Sequence, residues 1–213
     1  MSTLDDLYKA LLDATATPLP FFRFYMGVHN ILNTLAVFHN LRPGAMLQNL
    51  REDSIDDIIP RLFPETIKAV RYPIGSNIIL VRRDRPDLVE LVDHLDKDSP
   101  EFDTNVGKIL GYFTPYNIHS KNAADLHLQA VQFNVVVRQS NGMTASVQHF
   151  EQRVSTEVDV SAALEEYKTK LLTLPMPSAL RIRDVKIQRH SMPIAKSRKR
   201  SRKNKRRHTR RRR

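Results

Sequence analysis

"VQFNVVVRQ", residues 131–139, places Val131, Phe133, Val135 and Val137 at every second position, with Gln132, Asn134 and Arg138 between them. Successive side chains of an extended chain point to opposite faces, so this alternation predicts a strand with one face in a core and one in water. "SNG" at 140–142 supplies turn residues, and "TASVQHFEQRVS" at 144–155 is expected to return as the antiparallel partner. Asp159 then caps an expected helix through Leu164, Tyr167, Leu171 and Leu172, which "PMP" at 175–177 breaks. "ALRIRDVKIQRH" at 179–190 is a last strand, with Leu180 and Ile182 inside and Arg181 and Arg183 outside.

Upstream, "NIILV" (77–81) is a β-rich run, and "RPDLVELVDHLD" (85–96) opens like a helix with a proline and then an acid. A further helix around Thr104–Leu110 is closed by Gly111. At the start of the chain, Ser2 and Thr3 precede Asp5 and Asp6, and Leu4, Leu7, Tyr8, Leu11 and Leu12 repeat at helical spacing. "TPLP" (17–20) ends that helix, and apolar residues from Phe21 to Phe38 mark a longer one that "RPG" (42–44) stops. Weaker helical pieces are expected at Ile55–Leu62 and Glu65–Val70. The order predicts an α+β fold: a helical part at 1–70, then an α+β part at 71–190 sharing its core, then a disordered basic tail at 191–213.

The charge is divided unevenly. Of the 34 Lys/Arg, 13 lie between Lys196 and Arg213 with no Asp or Glu, so the preceding residues hold 21 basic and 23 acidic groups and the whole +11 comes from the tail. Such a run cannot bury apolar surface and repels itself, which predicts disorder and polyanion binding without base readout. The expected nucleic-acid contacts are Lys196, Arg198, Lys199, Arg200, Arg202, Lys203, Lys205, Arg206, Arg207, Arg210, Arg211, Arg212 and Arg213. Arg181, Arg183 and Arg189 extend that surface if alternate strand positions share a face; Lys186 joins them only through a bulge. The same tail also fits a nuclear localisation signal.

The chain has no cysteine, which excludes disulfides, thiolate metal sites and a cysteine nucleophile. No secretory leader is expected from the acidic, amphipathic "MSTLDDLYKALL", and Phe24–Leu41, although free of formal charge, carries His29, Asn30, Asn33, Thr34, His39 and Asn40, so it reads as a buried helix and not a membrane span. No phosphate loop, nucleophile elbow or paired zinc histidines occur. His29 and His39 read as structural histidines in the core, and His119, Asp125 and His127 lack zinc spacing. Asp93, Asp96, Asp98 and Glu101 read as a solvated helix end. "ILGYFTPYN" (109–117) offers Tyr112, Phe113 and Tyr116 to the core, to a protein interface or to base stacking.

A neutral α+β body ending in "RKRSRKNKRRHTRRRR" (198–213) resembles virion- and genome-associated structural proteins of nucleocytoplasmic large DNA viruses, in which such tails recur. The resemblance implies a non-enzymatic protein whose tail contacts packaged DNA while its body docks on a capsid or core neighbour. It places the chain in a virion, or in the host nucleus or cytoplasm, not among secreted proteins. No cofactor or metal is expected. Two other readings stay open: a ribosome-associated or pre-ribosomal RNA-binding protein, and a nucleic-acid-processing enzyme whose carboxylates, for instance Asp84, Asp87 and Asp125, converge only in space.

Overall fold

Thr3 starts the first helix by a reciprocal cap. Its hydroxyl accepts from the Asp6 N–H, and the Asp6 carboxylate accepts from the Thr3 N–H. The computed structural model describes residues 3–111, 128–155 and 159–191. Helix α1 (Leu4–Ala14) buries Leu7, Tyr8, Leu11 and Ala14. Helix α2 (Pro20–Phe38) is buried on all sides from Asn30 to Val37 and so acts as the central rod of the fold. The two helices approach closely because residue 27 is glycine, where a Cβ would come within 2.5 Å of the Leu12 side chain.

Two three-stranded antiparallel sheets flank α2. The first has strands β1 (Gly44–Leu47), β2 (Ile67–Arg71) and β3 (Ile78–Arg82) in the order β1-β3-β2. Its middle strand is apolar from Ile78 to Val81 because both of its faces are covered there. Ile78 and Leu80 enter the main core, whereas Ile79 and Val81 pack with Leu88 and Val92 of α4 (Pro86–Asp93) and Ile109 of α5 (Phe102–Ile109). At the start of β1, a Cβ on Gly44 would lie 2.8 Å from the Leu80 carbonyl oxygen and closer still to that of Ile109.

The second sheet has strands β4 (Leu128–Gln139), β5 (Thr144–Ser155) and β6 (Leu180–Ser191) in the order β5-β4-β6. Val131, Phe133, Val135 and Val137 face inward, as the alternation predicts. They share one core with α1, α2, β1, β3 and helix α6 (Ser161–Leu172), which contributes Leu164, Tyr167 and Leu171. The fold is α+β. No helix among the described residues is long and apolar enough to cross a membrane.

Two sequence expectations need correction. The region 1–70 is not purely helical: it supplies β1 and most of β2, and of its two weaker helical pieces only α3 (Ile55–Ile58), flanked by 3-10 turns, forms. Short apolar runs fit either period, and pairing with β3 makes residues 67–71 a strand. His39 is not in the core. It follows the last turn of α2, exposed, with its ring edge against Phe38.

Candidate nucleic-acid interface

Lys196 to Arg213, where the sequence places most of the interface, lie outside the described residues. The cations of β6 are described, and their faces follow from the pairing with β4. Val136 pairs with Asp184 but Val137 pairs with Ile182, so Arg183 is an extra residue, a β-bulge. The bulge shifts the alternation by one. Arg181 and Lys186 lie opposite Arg138 and Asn134, on the solvent face of the sheet. Arg189 instead lies opposite the inward residue Val131, and its guanidinium donates to Ser161 Oγ at the start of α6 (2.9 Å). The face expected from simple alternation is thereby rearranged: Lys186 joins Arg181, and Arg189 leaves it.

Arg138 completes this surface. It sits in register directly opposite Arg181, and with Arg183 the pair lines a cavity of about 320 Å³ that also touches Gln139, Ser140, Ser178 and Ala179. Like charges placed opposite each other on neighbouring strands are destabilising. Several other arginines are neutralised locally: Arg71 pairs with Glu52 and Asp56, Arg82 with Asp84, and Arg85 with Asp87. Among the described residues, Arg138, Arg181 and Arg183 form no ion pair or side-chain hydrogen bond. Asp184 follows Arg183 in sequence, and Asp5 Oδ1 accepts from the N–H of Ser178, which also lines the cavity (2.6 Å). The remaining polar side chains of this face, Gln132, Asn134 and Gln188, bond to one another.

A second polar assembly, of which the sequence marked only His29, is buried where α2 meets β5. Arg42, 6% exposed, donates to Asn33 Oδ1 (3.0 Å) and to the Leu110 carbonyl (3.0 Å). Asn33 Nδ2 donates to His29 Nε2 (3.0 Å), and the opposite ring nitrogen, Nδ1, donates to the Gln148 carbonyl (2.9 Å), which fixes the His29 tautomer. The next residue, His149, is the extra residue of a bulge in β5 and bonds to the Tyr167 hydroxyl (2.9 Å). Burial is the main cause that pulls the pKa of His29 below the usual histidine range, and that of His149 well below it, and it pushes Tyr167 up to about 12. His29, Asn33, Arg42 and His149 line a cavity of about 300 Å³. Their bonding is that of a polar strut tying the central helix to the sheet.

The remaining sequence candidates do not converge. Asp84 and Asp87 are held by Arg82 and Arg85, which lower both carboxyl pKa values, while Asp125 lies outside the described residues. Asp93 pairs with Lys68, and Asp96 accepts from the backbone of Asp98 in a solvated turn. Tyr112, Phe113, Tyr116, His119 and His127 are also outside the described residues. Among the described residues no group of three or more His, Asp or Glu is placed to hold a metal ion. Comparison with protein-family models, curated proteins and solved structures finds no match to this chain.

Proposed function

We propose that this is a non-enzymatic structural and interaction protein that associates with nucleic acid through its C-terminal tail and the adjoining solvent face of the β4/β6 sheet, without reading sequence. The observation that carries the reading is the separation of charge: a body of net −2 and a tail of 13 cations that continues directly from the strand bearing Arg181, Arg183 and Lys186. From Arg181 to Ser191 the strand spans about 33 Å at roughly 3.3 Å per residue, the length of about ten nucleotides along a duplex strand. Guanidinium and ammonium groups spread along the strand can meet phosphates, the sequence-independent part of nucleic-acid contact. The body's part is to dock on a protein partner. Leu19, Phe21 and Phe22, exposed before and at the start of α2, supply an apolar surface for it.

The test compares the full chain with a truncation ending at Ala195 in titrations of nucleic acids of unrelated sequence, at several salt concentrations. The full chain is expected to give a slope of log K against log salt of roughly −6 to −12, from half to all of the tail charges, the same for each sequence. Truncation should remove most of the affinity. Retention of a sequence preference by the truncated body would overturn the reading.

A further inference from the structure

We infer that the Arg138–Arg181–Arg183 cavity is a discrete phosphate subsite, taking one or two backbone phosphodiesters of a bound nucleic acid and so fixing where the strand enters the body. This rests on the nucleic-acid reading above and gives it a defined point of contact. Three observations converge on an anion. First, Arg138 and Arg181 are held opposite each other by the strand register, an arrangement that repels unless a negative group bridges it. Second, the bulge at Arg183 brings a third guanidinium to the same cavity, and bulges recur where a strand must re-aim a side chain. Third, the three arginines have no ion-pair or side-chain hydrogen-bond partner among the described residues, although the body carries a slight excess of acids and pairs Arg71, Arg82 and Arg85 with them.

The chemistry selects phosphate. Planar guanidinium forks donate two parallel hydrogen bonds to a phosphate, and three forks around one cavity match its tetrahedral oxygens better than a flat carboxylate. Ser140 and Ser178 line the same cavity with hydroxyls that can donate. The site lies at the turn end of the sheet, whereas the tail departs from the far end of β6. A strand bound to both would therefore lie along the sheet, over Lys186.

The deciding experiment uses the full chain and the variant R138Q/R181Q/R183Q, titrated with a 20-nucleotide single strand across a salt series, with far-UV circular dichroism and thermal melting as the control for folding. Loss of one or two phosphate contacts should make the salt slope shallower by about 0.7 to 1.4, at about 0.7 per contact. The melting temperature should be unchanged or higher, because the repulsion is gone. R138K/R181K/R183K, which keeps the charge, should recover most of the slope. A slope in the glutamine variant equal to that of the parent would overturn the subsite while leaving nucleic-acid binding by the tail intact. No binding by the parent would overturn both. If the triple glutamine variant unfolds, the single variant R181Q decides: a slope shallower by up to about 0.7 supports the subsite, and the parent slope overturns it.

Discussion

His149 is sealed between β5 and α6, and its environment tolerates only the neutral ring. Desolvation is the first cause, and the nearby charges of Arg42 and His29 add to it; His29 is lowered in the same way. In the unfolded chain both rings titrate near 6.5. Above that pH neither state is charged and the histidines contribute no pH dependence. As pH falls below it, the unfolded chain takes up protons that the folded protein refuses, so stability declines, at up to about 1.4 kcal/mol per pH unit for each histidine. The expected outcome is a melting temperature that is flat from pH 8 to 7 and falls from pH 6.5 to 5, before exposed carboxylates such as Asp84 and Asp87 begin to lose their charge. H149Q should flatten that decline. A melting temperature independent of pH down to 5 would remove the buried histidines from the account.

Among elements, β1 is the shortest strand yet it is held on two sides. Its first residue has the Leu80 and Ile109 carbonyls against its Cα, so Gly44→Ala must push the C-terminal end of α5 away from β3. The expected cost is about 1–3 kcal/mol, the usual range for overpacking, read as a lower urea midpoint with an unchanged m-value. A neutral effect would mean that α5 is not anchored there. The same element logic explains the two bulges. β5 and β6 both flank β4, and each carries one extra residue, His149 and Arg183 respectively, so each strand turns one polar side chain away from where strict alternation would put it. One of these residues is buried as a strut and the other joins the cationic face.

For the whole molecule the decisive feature is that α2 belongs to both sheets. Its apolar side chains share a single core with Leu47 and Leu80 on one side and Phe133 and Val147 on the other. The inner faces of both sheets pack on this helix, and among the described residues only the outer face of β3 has a further cluster, with Leu88, Val92 and Ile109 of α4 and α5. Leu35→Ala, at a fully buried position of α2, is expected to cost about 2–5 kcal/mol. Both sheets should still unfold in one transition, with amide exchange in β3 and β4 governed by the same free energy. Distinctly weaker protection of β3 would show that the sheets are separate cooperative units.

Local chemistry alone determined the two N-terminal helices, the β4–β5 hairpin, helix α6 and the final strand, because caps, prolines and alternating apolar positions act within a few residues of each other. The charge division between body and tail is likewise a property of the chain itself. The face of each cation on β6 was legible only in part. The inward residues run Leu180, Ile182, then Val185 and Ile187, and that change of phase is the mark of the bulge at Arg183. What only the tertiary structure decided is which side chains meet. Arg138 becomes part of the candidate interface because β6 pairs with β4 in a register that sets it against Arg181, and Asn33, Arg42 and His149 become a buried strut because α2 lies across β5. The contacts that anchor them join distant residues, 68 positions apart for Arg42 and Leu110 and 119 for His29 and Gln148, and their partners are set by the packing of whole elements, not by the spacing of neighbours.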